Sequence, residues 1–197
     1  MNKEVRVFAP ATVANVAVGF DILGFAIDGP GDEIIARYSN ASGVTISCIT
    51  GDGGKLPLKA EKNTAGFAAI RLLEQLGKPE LGVELEIHKK MPFGSGLGSS
   101  AASAAAGVMA VNALLDMPVP KIASLHCAVL GEQIADGAYH ADNVAPSLLG
   151  GIILIRANDG LDVHSLPIPD ELYAAVVYPH VSILTKDARD VLRPTTT

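Results

Sequence analysis

The residues whose types and spacing most clearly indicate a binding site lie at 92–103, with the sequence PFGSGLGSSAAS. This segment follows a strand-like run at 83–88 and opens a long Ala-rich segment typical of a helix. Three glycines in five residues let the backbone adopt positive φ and approach a ligand closely. The serines after them stand where a helix would begin, with free N–H groups and the positive end of the helix dipole. Such a loop usually binds phosphate; the structural alternative is a glycine turn capped by Ser99.

Two well-known phosphate loops do not match this segment. The P-loop pattern requires a lysine directly after its last glycine, and here Ser99 follows Gly98. The dinucleotide pattern G-x-G-x-x-G would need a third glycine at position 99, and the acidic residue that follows at a suitable spacing, Asp116, ends a predicted helix rather than a strand. The loop therefore belongs to neither class.

The segment instead resembles the P-x-x-x-G-L-G-S-S-A-A/S signature of the GHMP kinases, a superfamily that includes galactokinase, homoserine kinase and mevalonate kinase. The match is unbroken from 92 to 102. The resemblance implies that ATP is bound by Pro92, Gly94, Ser95, Gly96, Leu97, Gly98, Ser99, Ser100, Ala101 and Ala102.

Two polar residues, Asn15 and Asp21, lie in the apolar stretch PATVANVAVGFDILG at 10–24, which follows neither a helical nor a strand period. Because buried polar groups need partners, they either cap local turns or face a polar substrate. The stretch resembles P-A/G-T-x-A-N-x-x-x-G-F-D-x-L-G of the homoserine kinases, in which the matching residues lie in the amino-acid pocket. Many members carry Gly-Pro or Gly-Ser where this chain has Ala17 and Val18.

A second polar island is GAYHADNVAPSLLGG at 137–151. His140 and Asp142 could bond their own turn backbone, and alone they are too few ligands for zinc. The run H-x-D-N-x-x-P-x-x-x-G-G again resembles homoserine kinases, which implies that His140 and Asp142 bind substrate, Asp142 at the ammonium group. Related kinases place an aspartate, discussed as a catalytic base, where this chain has Asn143, and an amide cannot serve as a base near neutral pH.

Magnesium is implied by ATP chemistry, because hard oxygen ligands from one or two protein groups complete its coordination by phosphates. On its own, Glu132 in a helix predicted at 121–135 would be a solvated charge. The resemblance implies that Glu132 and the hydroxyl of Ser100 hold Mg²⁺.

The run TKDAR at 185–189 opens a predicted short helix, for which Thr185 is a good N-cap. The resemblance implies catalytic and substrate-binding roles: Thr185 beside the reacting hydroxyl, and Arg189 on the substrate carboxylate. The planar guanidinium suits that task because it pairs bidentately with a carboxylate.

Apolar periodicity predicts the elements that position these residues. Strands are expected at 4–9, 32–39, 43–49, 82–88, 151–156 and 171–177. Helices are expected from 63 or 64 to 76, through the Ala-rich segment after the glycine loop, and at 121–135. The expected fold class is α+β. The resemblance implies a GHMP-kinase N-terminal domain (ribosomal protein S5 domain 2-like) at 1–165. The first, incomplete part of a ferredoxin-like C-terminal domain is expected at 166–197, after a Pro-rich junction at 161–169.

Composition argues against several classes of protein, including nucleic-acid-binding and membrane proteins. A hydrophobic content of 49% with 18% charged residues is globular, and a net charge of −6 argues against nucleic-acid binding. Cys48 and Cys127 match no metal spacing, which favours reduced thiols and a cytoplasmic protein. The start does not resemble a signal peptide. The uncharged stretch between Lys90 and Asp116 is long enough to span a bilayer, but its small residues favour packing in a core, so no membrane association is expected.

These expectations converge on phosphorylation of the side-chain hydroxyl of L-homoserine by MgATP, giving O-phospho-L-homoserine, a step toward threonine. The alternatives are another small-molecule GHMP kinase, such as mevalonate kinase, and a truncated nucleotide-binding fragment without turnover. The chain resembles a kinase that stops early in its second domain. An unpaired strand there would favour self-association, for example as a homodimer.

Overall fold

The computed structural model describes residues 3–92 and 94–177 and has an α+β architecture, as predicted. Six strands form one mixed sheet, and four helices pack against it. The strands are β1 (Glu4–Val16), β2 (Gly19–Tyr38), β3 (Val44–Thr50), β4 (Val83–His88), β5 (Ile152–Ala157) and β6 (Asp162–Leu166). The helices are α1 (Thr64–Gln75), α2 (Ser99–Leu114), α3 (Lys121–Asp136) and α4 (Val144–Leu149), and short 3-10 turns occupy Ala60–Lys62 and Asp159–Leu161.

The sheet is built around β2, a strand of 20 residues. One edge of β2 pairs antiparallel with β1 along nearly its whole length. The other edge pairs with β4 over residues 33–38 and with β5 over residues 23–25. β3 adds to β4 in parallel, and β6 adds to β5 antiparallel. β4, which precedes the glycine-rich segment, and β5, which follows the polar segment at 137–151, therefore share one edge of β2.

Successive side chains of β1 point to opposite faces of the sheet. Val5, Val7 and Ala9 are at least partly buried and contribute to the core, whereas Glu4, Arg6 and Phe8 are exposed. On the exposed face, Arg37 of β2 donates to Glu4 at 2.7 Å and to Glu86 at 2.9 Å, which bridges three strands. One face is thus polar and paired, and the other is left for the helices.

Helix α2 forms the centre of the helical layer, and most of its residues are buried. It packs on β1 and β2 as well as on all three other helices. Small side chains are required for this placement, because a Cβ at Gly107 would lie 2.4 Å from the carbonyl oxygen of Ala65 in α1. In the same way, a Cβ at Gly131 in α3 would lie 2.7 Å from Cβ of Ala68 in α1. The alanines and glycines let three helices approach one another closely.

The uncharged stretch that could have spanned a bilayer is divided between the glycine loop and α2, a helix of 16 residues. Within residues 3–92 and 94–177, no helix combines the length and the apolar character that a membrane crossing requires.

The predicted elements between Gly43 and Arg156 are confirmed to within a few residues, whereas the strand predicted at 32–39 is only the second part of β2, which begins at Gly19. The prediction for the first strand is also wrong. The first strand does not end at Pro10 but continues to Val16, and 10–24 forms a hairpin. Register shifts at Pro10/Thr12 and Ala14/Val16 interrupt the pairing, which is why the alternation is lost in the sequence. Asn15, Ala17 and Asp21 also adopt positive φ, of 58°, 51° and 59°.

The other differences lie toward the C-terminal end. The region expected as a junction, 161–169, contains β6, and the short helix α4 was not predicted. The run 171–177 is not a strand: its residues are exposed and pair with none of the six strands. An apolar run forms a stable strand only when it packs against neighbours. The division at 165/166 stays a prediction.

Replacing Gly107 with alanine should destabilise the fold. Alanine favours a helix over glycine by about 0.5–1 kcal/mol. However, the added methyl would collide with the backbone of Ala65, and overpacking of this kind costs about 1–3 kcal/mol. We expect a net loss on the order of 1 kcal/mol or more in denaturant titration. Ala123→Ser adds one heavy atom at an exposed position of α3 and should change stability by less than about 0.5 kcal/mol. Equal stability of Gly107→Ala and the wild type would contradict the close packing of α1 and α2.

Candidate active site

The glycine loop, defined as residues 92–98, connects the end of β4 to the start of α2. Gly94, Gly96 and Gly98 all take positive φ, of 66°, 71° and 65°, which confirms the expected backbone conformation. Gly98 is the N-cap of α2, and no side chain caps the helix. The alternative of a turn capped by Ser99 is therefore wrong, because Ser99 is the first helical residue and its hydroxyl donates to Asp32 instead. The first turn of α2 thus keeps its N–H groups for an anion.

Thr12 of β1 holds the end of the glycine loop. Its backbone N–H donates to the carbonyl oxygen of Leu97 at 3.0 Å, and its buried hydroxyl donates to Oδ1 of Asn143 at 2.8 Å. A Cβ at Gly98 would lie 2.1 Å from the Thr12 hydroxyl and 2.9 Å from Oδ1 of Asn143. Thr12 therefore joins the glycine loop to the start of α4, and only glycine fits at position 98.

The predicted metal ligands meet across two helices. The hydroxyl of Ser100, in the first turn of α2, donates to Oε1 of Glu132 in α3 at 2.6 Å, and both residues are half-buried. In the described part of the chain, no group of three or more His, Cys, Asp or Glu side chains could hold a metal ion. One carboxylate and one hydroxyl are hard oxygen donors, which fit a Mg²⁺ ion that takes its other ligands from phosphates and water.

The second polar region forms at the tip of the β1–β2 hairpin. Oδ1 of Asn15 accepts the backbone N–H of Asp21 at 2.9 Å, so this side chain has the local role considered in the sequence. Nδ1 of His140 lies 3.8 Å from Oδ1 of Asp21. Asp142 is buried, and its backbone presses so closely on β2 that a Cβ at Gly24 would lie 1.8 Å from the Asp142 carbonyl oxygen. We refer to Asp21, His140 and Asp142 as the acidic cluster.

Ionisation of the Asp142 carboxyl is disfavoured within the acidic cluster. Burial raises the pKa of Asp142, and the negative charge of Asp21 raises it further. His140 and the backbone N–H of Asn143, which donates to Oδ1 of Asp142 at 3.1 Å, oppose this shift without cancelling it. A cationic group placed between the two carboxylates would relieve their repulsion.

The structure brings the predicted residues together in two groups. The loop residues described, Ser100 and Glu132 form one, and Asn15, Asp21, His140 and Asp142 form the other. Asn143 follows Asp142 directly, so the Thr12–Asn143 hydrogen bond links the two groups. Thr185 and Arg189 lie outside the described residues.

Sequence reasoning missed the buried ion pair of Asp32 and Lys89 beneath the glycine loop. Both side chains are almost fully buried, and burial lowers the pKa of Lys89 against the opposing effect of Asp32 and Glu132. Lys89 could have been noticed as a charge immediately before the loop. Its partner is 57 positions away and has no local signal.

Comparison with known proteins identifies the arrangement. The model of the GHMP kinases N terminal domain matches residues 63–151. Homoserine kinase from Chlorobium phaeovibrioides is 49% identical over 96% of this chain and 62% of its own length. The crystal structure of homoserine kinase from Cytophaga hutchinsonii superposes with a TM-score of 0.95 at 54% identity, over 100% of this chain and 62% of that one. The chain is thus similar to homoserine kinases over nearly its whole length, and residues 63–151 match the GHMP kinases N terminal domain.

Within the GHMP kinases, likeness of fold extends further than likeness of sequence. The mevalonate kinase of Methanococcus jannaschii superposes with a TM-score of 0.65 at 20% identity, over 84% of this chain and 56% of that one, which shows a shared fold. The two homoserine kinases share far more sequence with this chain. The chain spans 62% of the length of the curated relative from Chlorobium phaeovibrioides.

The contact between Gly98 and Thr12 can be tested by comparing two glycines of the same loop. Gly98→Ala would incur both the cost of a left-handed backbone and a collision with Thr12, together about 2–5 kcal/mol. Gly96→Ala has the same backbone cost of about 1–2 kcal/mol but no atom within 4 Å of the new methyl. We expect Gly98→Ala to be the less stable in thermal unfolding and to speed hydrogen exchange at the Thr12 amide. Equal effects at both positions would show that Thr12 does not hold the loop.

Proposed function

We propose that this chain carries the ATP site and part of the amino-acid site of a homoserine kinase, which transfers the γ-phosphoryl group of ATP to the side-chain hydroxyl of L-homoserine. The observation that carries the proposal is the uncapped start of α2 beneath a loop of left-handed glycines, joined through Thr12 and Asn143 to a buried acidic cluster. The similarity to homoserine kinases over nearly the whole chain supports the choice of substrate.

The glycine loop would hold the phosphates. Its left-handed glycines leave no Cβ between the backbone and a ligand, and the N–H groups of the first turn of α2 have no side-chain cap. These donors and the positive end of the helix dipole favour a polyanion at this position. The loop residues from Pro92 to Ala102 would thus bind the β- and γ-phosphates.

Ser100 and Glu132 would bind Mg²⁺ beside the phosphates. Magnesium neutralises the negative charge that develops on the phosphate oxygens during transfer. The Ser100 hydroxyl donates to Glu132 and keeps both oxygens at one place between α2 and α3.

The acidic cluster would bind the ammonium group of homoserine. Asp142 and Asp21 place two carboxylates close enough for the charge of one to raise the pKa of the other, so a cation is favoured there. Asn15 fixes the backbone of Asp21, and His140 lies beside it. Thr185 and Arg189 would complete the site at the reacting hydroxyl and at the substrate carboxylate.

No general base is needed in this scheme, because phosphoryl transfer passes through a loose transition state and depends mostly on positioning and charge stabilisation. Asn143 lies between the two groups, and its Oδ1 already accepts the Thr12 hydroxyl. The rest of its amide is an NH₂ group, which only donates. Position 143 can therefore orient an oxygen of substrate or phosphate but cannot remove a proton.

The free thiols of Cys48 and Cys127 support a reducing compartment such as the cytoplasm, where this reaction would take place.

Glu132→Gln tests the magnesium site. The amide keeps the shape of the side chain but loses the charge, so affinity for the magnesium complex of a non-hydrolysable ATP analogue should fall by roughly tenfold or more. Affinity for the metal-free analogue should be unchanged, as measured by calorimetry with and without EDTA. Glu61→Gln removes an exposed carboxylate of the first 3-10 turn and should alter neither value. An equal loss with and without magnesium would exclude Glu132 as a ligand.

Asp142→Asn tests the ammonium site and separates function from stability. Homoserine affinity should fall by roughly tenfold to a hundredfold, since the partner charge is lost, while nucleotide affinity is kept. The wild type should lose homoserine affinity as the pH falls through the raised pKa of Asp142, above the usual range of an aspartate. The variant should show no such loss.

Asp142→Asn should raise the stability of the fold, although it lowers homoserine affinity. Because the pKa of Asp142 is raised in the folded protein, its charge destabilises the fold above that pKa and the penalty is relieved below it. Asp142→Asn should therefore melt at a higher temperature than the wild type at pH 7, and the difference should shrink on acidification. Asp170→Asn, at an exposed position, serves as the control. Equal loss of homoserine and nucleotide binding would contradict the assigned role.

A further inference from the structure

A buried ion pair lies directly beneath the glycine loop. Asp32 belongs to β2, Lys89 follows the last residue of β4, and their side chains are 0% and 2% exposed. Neither residue is part of the motif that resembles the GHMP kinases, and neither has a role in the proposed transfer. Burying two charges is costly, and an apolar pair of similar size is often as stable. Their presence is therefore poorly explained by stability alone.

Lys89 ties the end of β4 to the start of α2. Its ammonium group donates to Oδ2 of Asp32, to the carbonyl oxygen of Ser99 at 2.8 Å and to the hydroxyl of Ser103 at 2.7 Å. These three bonds use all three of its N–H donors. Lys89 therefore has no donor left for a phosphate, and its contacts lie on the helix that follows the loop.

Asp32 holds both sides of the loop at once. Oδ1 accepts the backbone N–H groups of Lys90 at 2.7 Å and Met91 at 3.2 Å, just before the loop. Oδ2 accepts the hydroxyl of Ser99 at 3.1 Å, just after the loop, as well as Lys89. A single carboxylate on the central strand thus closes the base of the loop.

These contacts fix the two ends of the glycine loop to the same point on β2. Since the loop glycines are conformationally permissive, their geometry depends on how firmly the ends are held. The same bonds set the position of Ser99, the first residue of α2, and so the direction of the N–H groups that follow it.

We propose that Asp32 and Lys89 are positioning residues that fix both ends of the glycine loop in the unliganded protein and thereby set its affinity for a nucleoside triphosphate. The part that concerns affinity rests on the proposed function, whereas the hold on the loop can be measured without any ligand.

The test compares variants of the whole 197-residue chain. Asp32→Ala removes the carboxylate and leaves Lys89 unpaired, and Lys89→Met does the reverse; both should be destabilised. The double variant Asp32→Ala/Lys89→Met leaves no unpaired charge and should recover much of the lost thermal stability. Asn112→Ala is the matched control: Asn112 is fully buried near the far end of α2 and bonds the backbone of Val119 twice, so its loss destabilises the same helix away from the loop.

The first readout is NMR-detected hydrogen exchange of the unliganded protein at the amides of Lys90, Met91 and Ala102. The second is the affinity for the magnesium complex of a non-hydrolysable ATP analogue. Both single variants and the double variant should exchange faster at these amides. Their affinity should be weaker by roughly tenfold to a hundredfold, as for other groups that orient binding residues. Asn112→Ala should melt earlier yet keep wild-type exchange at these amides and wild-type affinity.

The proposal would be overturned by unchanged exchange at the three amides in Asp32→Ala, or by a double variant whose affinity recovers together with its melting temperature. Loss of affinity in Asn112→Ala equal to that in Asp32→Ala would also overturn it, because binding would then follow stability alone. If the wild type takes up no nucleotide, the proposed function fails, and exchange still decides whether the pair holds the loop.

Discussion

The burial of helix α2 is the constraint on which the rest of the structure depends. The helix contacts the sheet and all three other helices, and its residues from Ala101 onward are mostly buried, so its direction is fixed while its first turn remains partly exposed. This placement requires alanine and glycine, since Gly107 and Gly131 leave no room for a Cβ. A helix fixed along its length presents its first N–H groups in one direction, which is the condition for preorganised binding of a phosphate.

A second consequence is that two chemically different regions are mechanically connected. Thr12 contacts the end of the glycine loop through its backbone and Asn143 through its hydroxyl, and Asn143 follows the buried Asp142. The proposed nucleotide end provides uncapped amides, whereas the proposed amino-acid end provides Asp142, whose pKa is raised by burial and by the charge of Asp21. In the proposed transfer, this separation of charge would suit an anionic phosphate donor at one end and the ammonium group of an amino acid at the other. The raised pKa of Asp142 indicates that the acidic cluster costs the fold some stability in the absence of a cation.

Local patterns were sufficient to predict the parts of the fold whose residues are close in sequence. The glycine spacing predicted a loop of positive φ, and apolar periodicity predicted α1, α3, β4 and β5. The hairpin at 10–24 was not recognised because its register shifts and the positive φ of Asn15 and Ala17 break the strand period. Residues 171–177 have the composition of a strand, but they are exposed and pair with none of the six described strands.

In the candidate site too, residues that belong to a sequence motif were predicted, whereas contacts between distant residues were not. Ser100 and Glu132 were placed by resemblance to a family, and their contact is consistent with that prediction. Asp32 and Lys89 could not be paired from the sequence, because 57 residues separate them and only the register of β2 and β4 brings them together. Thr12 was visible as part of a motif, but its contacts with Leu97 and Asn143 arise from the packing of β1 on the loop. Long-range polar contacts of this kind depend on tertiary structure alone.

The proposed function requires one chain to form both a nucleotide site and a site for the ammonium group of an amino acid. The most direct measurement is a sequential calorimetric titration of the 197-residue chain, first with the magnesium complex of a non-hydrolysable ATP analogue and then with L-homoserine. We predict saturable binding of the nucleotide at one site per chain, followed by binding of L-homoserine. Absence of nucleotide binding in a folded chain would contradict the account, because the glycine loop and the start of α2 are complete within the described residues apart from position 93.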